Sequence, residues 1–446
     1  MKISWFNKII SPELGGHVAG YRMDDTSISK LNDLYMTGLL ADDGERKVLL
    51  ISFDLLCLDE IFIQKIRRLC CEILEMPQYH IMLTCTHTHG GPLTNTEPKY
   101  DHYVEYKYLD WLEAAIIEEC RKMPGKMKEV EAYFYSMKLD ENLNRRVVTA
   151  DNYDCFLPHR AELRRLADGF KDQELGLLFF LEPGTRFPLF IVGNYAAHPL
   201  ASHSIGRGAL RISADFPGYF RDYINSEADC DAMFVSGALG DMIPKEDEQG
   251  EDGARQMGIR LAKGAIRGIL DATRNPNRFK MDNVKVGAAS RTLTAPLRPS
   301  FRNNPDNLPS HYLGKDAIDL EMQCLAIGDV CFVGVPGEMC AEMGLEIKWH
   351  SPFRKTFIAF VATAYHDYIV PANFLLQGGY EARMHRFSAR KTIDLVKTAV
   401  DAMFDLKDEL HPMSEEYEEQ CQLQVNQVEL GITSTARHAP GAEFLE

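Results

Sequence analysis

Short apolar runs alternate with longer amphipathic ones along most of the chain. Lys47 to Asp54 (KVLLISFD) is a compact apolar run and predicts a buried strand. From Asp59 to Leu74, Ile61, Ile63, Ile66, Leu69 and Cys70 recur at helical spacing. Ile81 to Cys85 predicts a second strand, ending at a polar cluster, and Tyr103 to Cys120 a second helix. The rhythm continues with strands at Gly176 to Leu181 and Leu189 to Ala196, joined by the turn Glu182-Pro183-Gly184. A helix over Gly218 to Ile224, a strand over Ala232 to Ser236 and a long helix over Asp252 to Arg274 follow. Val284 to Leu293 opens a strand-rich part. There, Glu321 to Val335 predicts a hairpin about Gly328-Asp329. Cys340 to His350 predicts a helix, Lys355 to Thr363 a strand and Ser388 to Phe404 an amphipathic helix. Leu423 to Leu430 is a candidate final strand. Strands regularly interleaved with helices predict an α/β fold of layered mixed sheets flanked by helices.

No repeat, low-complexity tract or Pro/Gly-rich linker divides the pattern, so a single domain over 1–446 is expected, with an acidic tail from about 411. The 446 residues include Asp and Glu in excess of Lys and Arg, for a net charge of -16. That surplus excludes nucleic acid as the expected partner, since phosphate binding needs clustered cations. The 11 cysteines are odd in number and lie in apolar runs such as Leu56-Cys57-Leu58, which predicts reduced thiols rather than a disulfide framework. No run of 18 apolar residues occurs, so no membrane span is expected. The first residues, MKISWFNKIISPELGG, do not form a signal peptide, which points to a cytoplasmic protein.

Three strand ends carry candidate chemistry. The first reads Thr84-Cys85-Thr86-His87-Thr88-His89-Gly90-Gly91-Pro92. In extended chain His87 and His89 would face the same side, and strand ends are where α/β proteins place sites. Taken alone, the pair is better read as hydrogen-bonded structural or surface histidines. The second is Asn194-Tyr195-Ala196-Ala197-His198-Pro199, with His203 nearby. The third is Val335-Pro336-Gly337-Glu338. Its carboxylate suits either a metal ligand or the N-terminus of a following helix. Two histidines and one carboxylate together form a standard catalytic zinc set with a position open for water.

These motifs occur in one order with Ser213-Ala214-Asp215-Phe216-Pro217-Gly218-Tyr219, Gly237-Ala238-Leu239-Gly240-Asp241 and Ile327-Gly328-Asp329. That order resembles the catalytic domain of the neutral/alkaline ceramidase family, from about Gly20 to about Phe404. The resemblance implies a ceramidase-like fold and a zinc amidase that cleaves an N-acyl bond. It implies His87, His198, Glu338 and Tyr368 as zinc ligands. It also implies His89 as a proton shuttle, Arg145 as a substrate-contacting residue and Tyr380 as an oxyanion stabiliser. Asp215 and Asp241 remain open to a capping or turn role.

The chain departs from the family pattern in three ways. Ile243 stands where the family has a polar residue, there is no room for an immunoglobulin-like C-terminal domain, and no export signal is present. A small soluble N-acyl compound is therefore as much an expected substrate as a ceramide-like lipid. The oligomeric state is not written in the pattern. Ester hydrolysis at the same zinc site, or metal binding without turnover, are the alternatives. Retention of His89, Arg145 and Tyr380 argues against the second.

Overall fold

The computed structural model describes residues 1–20, 24–148, 153–154, 169–202, 210–245, 250–302, 304 and 308–411. Met1–Leu406 form one compact unit and Lys407–Glu446 another. His203 and the candidate strand Leu423 to Leu430 lie outside the described residues.

The fold is mixed α/β, with ten α-helices among the described residues. Three larger sheets organise the first unit. One has the order Ile81–Cys85, Lys47–Phe53, Tyr35–Asp42, Lys2–Ile9, Lys128–Glu129. The second runs Asp231–Ser236, Pro188–Tyr195, Glu174–Leu181, Glu131–Lys138. The third runs Val286–Pro296, Ala317–Ile327, Val330–Gly334, Lys355–Ala359. Each sheet is antiparallel except for one parallel pair at an edge.

Strand periodicity explains why these runs are apolar throughout. Leu49, Ile51 and Phe53 face one core, with Ile63, Ile66 and Cys70 of helix Glu60–Leu74 and Leu112 and Ile116 of helix Tyr106–Lys122. The alternate residues Val48 and Leu50 face a core shared by all three sheets, where Met82, Val192, Val235, Leu325, Phe332 and Phe357 meet. A strand buried on both faces reads as a continuous apolar run. The outer face of the second sheet is covered by helices Asp215–Ala228 and Glu251–Arg274 through Phe220, Ile224, Leu261 and Ala265. Fully burying each such side chain contributes about 1.5–3 kcal/mol.

Most expected elements appear within a few residues of their predicted bounds. Helix Asp215–Ala228 starts earlier than its pattern suggested, because Pro217 sits in the first turn, where its missing N–H costs nothing. The strand from Lys355 stops at Ala359, and Val361 then turns with φ 47°. Strands Lys2–Ile9, Tyr35–Asp42 and Glu131–Lys138 escape the pattern analysis because their apolar runs are broken by polar residues.

The parallel pairs matter for function. The edge strand Ile81–Cys85 leads to His87, Pro188–Tyr195 to His198, and Val330–Gly334 to Glu338. Buried side chains stitch these three edges together. Thr84 Oγ1 donates to Phe360 O at 2.6 Å and Ser236 Oγ to Thr86 O at 2.8 Å. Asn194 Nδ2 donates to Val235 O and Ile358 O, both at 2.9 Å.

Candidate metal centre

His87, His198 and Glu338 converge beyond these strand ends, and all three are buried. His87 Nδ1 lies 2.8 Å from Leu56 O, and His198 Nδ1 lies 2.8 Å from Met242 O. A carbonyl only accepts, so each Nδ1 must carry a proton, and in the neutral ring Nε2 is left with the lone pair. Both Nε2 atoms lie 3.4 Å from Glu338 Oε2. His198 Nε2 and Glu338 Oε2 have no hydrogen-bond partner among the described residues. Burial pushes His198 down to about 4, so its ring is neutral at pH 7. Burial works against the Glu338 charge, but the two imidazoles outweigh it and hold the carboxyl well below its ordinary value. Two imidazole nitrogens and a carboxylate oxygen thus converge in a buried pocket, a donor set that a cation would stabilise.

Glu338 is oriented on both sides. Tyr365 donates to its Oε1 at 2.8 Å, leaving Oε2 turned to the imidazoles. Its N–H donates to Asp367 O at 2.8 Å, and Glu338 is paired in register with Tyr368 in a short parallel ladder. Arg386 holds Asp367 through Nε at 2.9 Å and Nη2 at 2.6 Å. His87, Val361 and Asp367 all have positive φ, which costs energy for residues with a Cβ and is typical of sites held by their surroundings. His87 at φ 66° means that the His-x-His segment is not the extended chain assumed from its spacing. The turn still brings the two rings together.

His89 stands 5.3 Å from His87 and 5.9 Å from His198, ring centre to ring centre. The three histidines bring one ligand atom each to within 4.8 Å of one another, close enough that they could hold a metal ion. Gly20, at φ 102°, packs against the His89 ring, where a Cβ would come within 2.5 Å. Gly240 likewise has a Cβ position 2.6 Å from Glu338 O, so the loop carrying Asp241 closes tightly on the ligand strand.

Tyr368 accepts a hydrogen bond from Arg145 Nη2 at 3.0 Å. Burial pushes its phenol well up, with Arg145 pulling the other way. Arg145 Nε is fixed by Glu381 Oε1 at 2.7 Å, and Arg146 Nη1 binds Glu381 Oε2 at 3.1 Å. In this arrangement Arg145 reaches the site through Tyr368. The Tyr380 ring lies 5.3 Å from that of Tyr368. Asp241 is a structural link, accepting from Ala341 N at 2.8 Å and Asn144 Nδ2 at 2.7 Å. Asp215 likewise binds backbone amides, from Ser202 at 2.6 Å and Phe216 at 2.7 Å. Ile243 is buried and pairs with Leu143 in a short antiparallel ladder.

A cavity of about 140 Å³ adjoins these groups, lined by His87, His89, Glu338, Tyr365, Tyr368 and Tyr380 among others. Tyr365 and Glu381 were not singled out from the sequence. Each is a near neighbour of a residue that was, but spacing does not reveal which way a side chain turns.

No protein-family model matches the chain. No curated protein matches it. Among solved structures it is similar to neutral ceramidase from Pseudomonas aeruginosa, with TM-score 0.72 and 16% sequence identity over 92% of this chain and 75% of that one. It is equally similar to a ceramidase complexed with C2, at TM-score 0.72 and 16% identity over 93% of this chain and 76% of that one. A likeness at this identity shows a shared fold.

Proposed function

We propose that this protein is a zinc-dependent amidohydrolase of the neutral ceramidase family, cleaving an N-acyl bond. The observation that carries this reading is Glu338 Oε2 lying 3.4 Å from both His87 Nε2 and His198 Nε2, three buried ligand atoms that converge on one point. The ceramidase fold of the chain supports it. His87, His198, Glu338 and Tyr368 would hold the ion, and their N and O donors suit zinc. When bound, zinc supplies Lewis acidity and activates water near neutral pH.

The chain's own residues do the rest. The backbone carbonyls of Leu56 and Met242 keep the two ligand imidazoles in one tautomer. A ring nitrogen of His89 takes the proton of the attacking water and returns it to the amine leaving group. The Tyr380 hydroxyl donates to the oxygen that becomes negative as the amide carbon turns tetrahedral. Arg145, clamped by Glu381, fixes the Tyr368 oxygen. The substrate is a small N-acyl compound or a ceramide-like lipid.

Elemental analysis and an amide panel test this directly. Wild type is expected to hold about one zinc per chain and to hydrolyse at least one N-acyl amine. His89→Ala is expected to keep its zinc and lose hydrolysis by about 10²–10⁴-fold. Zinc loss in that variant would make His89 a ligand. A zinc-loaded wild type inert on every amide and active on esters would replace the amidase reading with the esterase one.

A further inference from the structure

We propose that Arg146 is a positioning residue that holds Tyr380 in place from behind the site, by pinning the glycine hinge that carries it. The inference rests on the amide-hydrolase reading only for the chemical role of Tyr380.

The segment around Tyr380 is weak by itself. Helix Ala372–Gln377 has six residues and helix Tyr380–Met384 has five. Isolated helices shorter than about 12–15 residues are marginal in water, so both depend on tertiary contacts. Between them stand Gly378 at φ 76° and Gly379 at φ 99°. Residues with a Cβ rarely take such angles, and two successive glycines leave the backbone free to swing. Tyr380 follows this hinge directly and lines the cavity together with Met384.

Arg146 meets the segment on both sides of the hinge. Its guanidinium carbon stands 3.8 Å from the centre of the Phe374 ring in the first helix. Nη2 donates to Gly378 O at 3.0 Å, and Nη1 donates to Glu381 Oε2 in the second helix at 3.1 Å. The other Glu381 oxygen accepts from Arg145 Nε at 2.7 Å, so two successive arginines share one carboxylate. Arg146 and Glu381 are buried, which strengthens a charge-assisted bond between them.

The remaining contacts do not fix the hinge. Arg298 Nη1 holds the far end of the second helix, donating to Ala382 O and His385 O, both at 2.7 Å. Tyr368, Val370 and Phe374 form an apolar bed under Leu375, Tyr380 and Met384. Apolar packing is non-directional, whereas the planar fork of a guanidinium fixes direction as well as distance. Arg146 is not among the described residues that line the cavity. It therefore acts through Tyr380 and not on the substrate.

Hydrogen exchange and kinetics of the zinc-loaded full chain test this together. The Gly378, Arg383 and His385 amides donate to Phe374 O, Gly379 O and Glu381 O at 2.9, 3.1 and 3.1 Å. In Arg146→Met these amides are expected to exchange several-fold faster, with helix Arg390–Leu410 and zinc content unchanged. On any acyl substrate that wild type hydrolyses, kcat is expected to fall by about 10–100-fold with KM nearly unchanged. A displaced oxyanion donor loses stabilisation in the transition state alone. Adding Arg146→Met to Tyr380→Phe should produce little further loss, because the two residues act as one. Arg146→Lys keeps the charge but not the fork, and it should fall between wild type and Arg146→Met in both readouts.

Unchanged exchange in both Arg146 variants would overturn the clamp. A full further loss in the Tyr380→Phe background, or a loss carried by KM, would overturn positioning of Tyr380 as the role of Arg146. Wild type inert on every amide and ester would refute the proposed reaction and leave exchange to decide the clamp, so the two ideas fail separately.

Discussion

Two buried polar clusters lie side by side in this protein, and their difference separates structure from chemistry. In one, Arg386 binds Asp367 and Glu97, with Nη2 at 2.6 Å from each, and Lys99 stands 3.4 Å from Glu97. Opposite charges meet, and the cluster neutralises itself. In the other, His87, His198 and Glu338 present acceptors to one another at 3.4 Å with no cation of their own. Both are buried and built from ionisable side chains. A buried cluster whose charges balance holds backbone in place even where, as at Arg386 Nη1 and Glu97 Oε2, single atoms keep no hydrogen-bond partner among the described residues, whereas one whose ligand atoms converge without a counter-charge suits a cation. The two are joined by the Glu338 N–H to Asp367 O bond of 2.8 Å, so the charge-balanced cluster is the footing of the other.

The sharpest way to break this comparison is to remove one carboxylate from each side of it. Glu338→Gln is expected to reduce zinc from about one per chain to none and to abolish hydrolysis, because a ligand is lost. Retention of zinc, measured by elemental analysis, would remove Glu338 from the ligand set. Arg386→Met should behave in the opposite manner. It leaves Asp367 and Glu97 uncompensated, and denaturant unfolding should register a loss of about 3–5 kcal/mol. An unchanged unfolding midpoint would show that this cluster is not structural.

Tyr365→Phe tests the contact that turns Glu338. Loss of the 2.8 Å bond to Oε1 should weaken zinc binding by about 10–100-fold in a chelator competition while leaving stability nearly unchanged. Equal affinity would mean that the backbone ladder alone orients the carboxylate.

The smallest effect should come from an ion pair that belongs to neither cluster. Burial pushes Glu174 up, but Lys348 and Lys355 prevail and bring it down to about 2. Its folded pKa thus lies below the unfolded value of about 4.3. Its stabilisation is therefore present above about pH 4.3 and fades as pH falls toward 2. Glu174→Gln should cost on the order of 1–2 kcal/mol at pH 7 in urea unfolding and much less at pH 3, without affecting zinc. A loss that persists at pH 3 would assign the effect to packing.

Alternating apolar and amphipathic runs determined the α/β class and most element positions, because burial on one or two faces imposes its period on the residues themselves. The order of the motifs around His87, His198 and Glu338 singled out one site from strand ends. Sequence distance held back the rest. His87 and Glu338 are 251 positions apart and meet only because the parallel edges of three sheets are stitched together by Thr84, Asn194 and Ser236. The left-handed turns at His87 and Asp367, the Tyr365 contact and the Arg145–Glu381 clamp depend on where side chains point after the backbone turns. The residue types were set by the chain. Which of their polar atoms are paired, and which are left facing a cavity, was decided by tertiary packing, because hydrogen-bond satisfaction is a property of neighbours in space rather than in sequence.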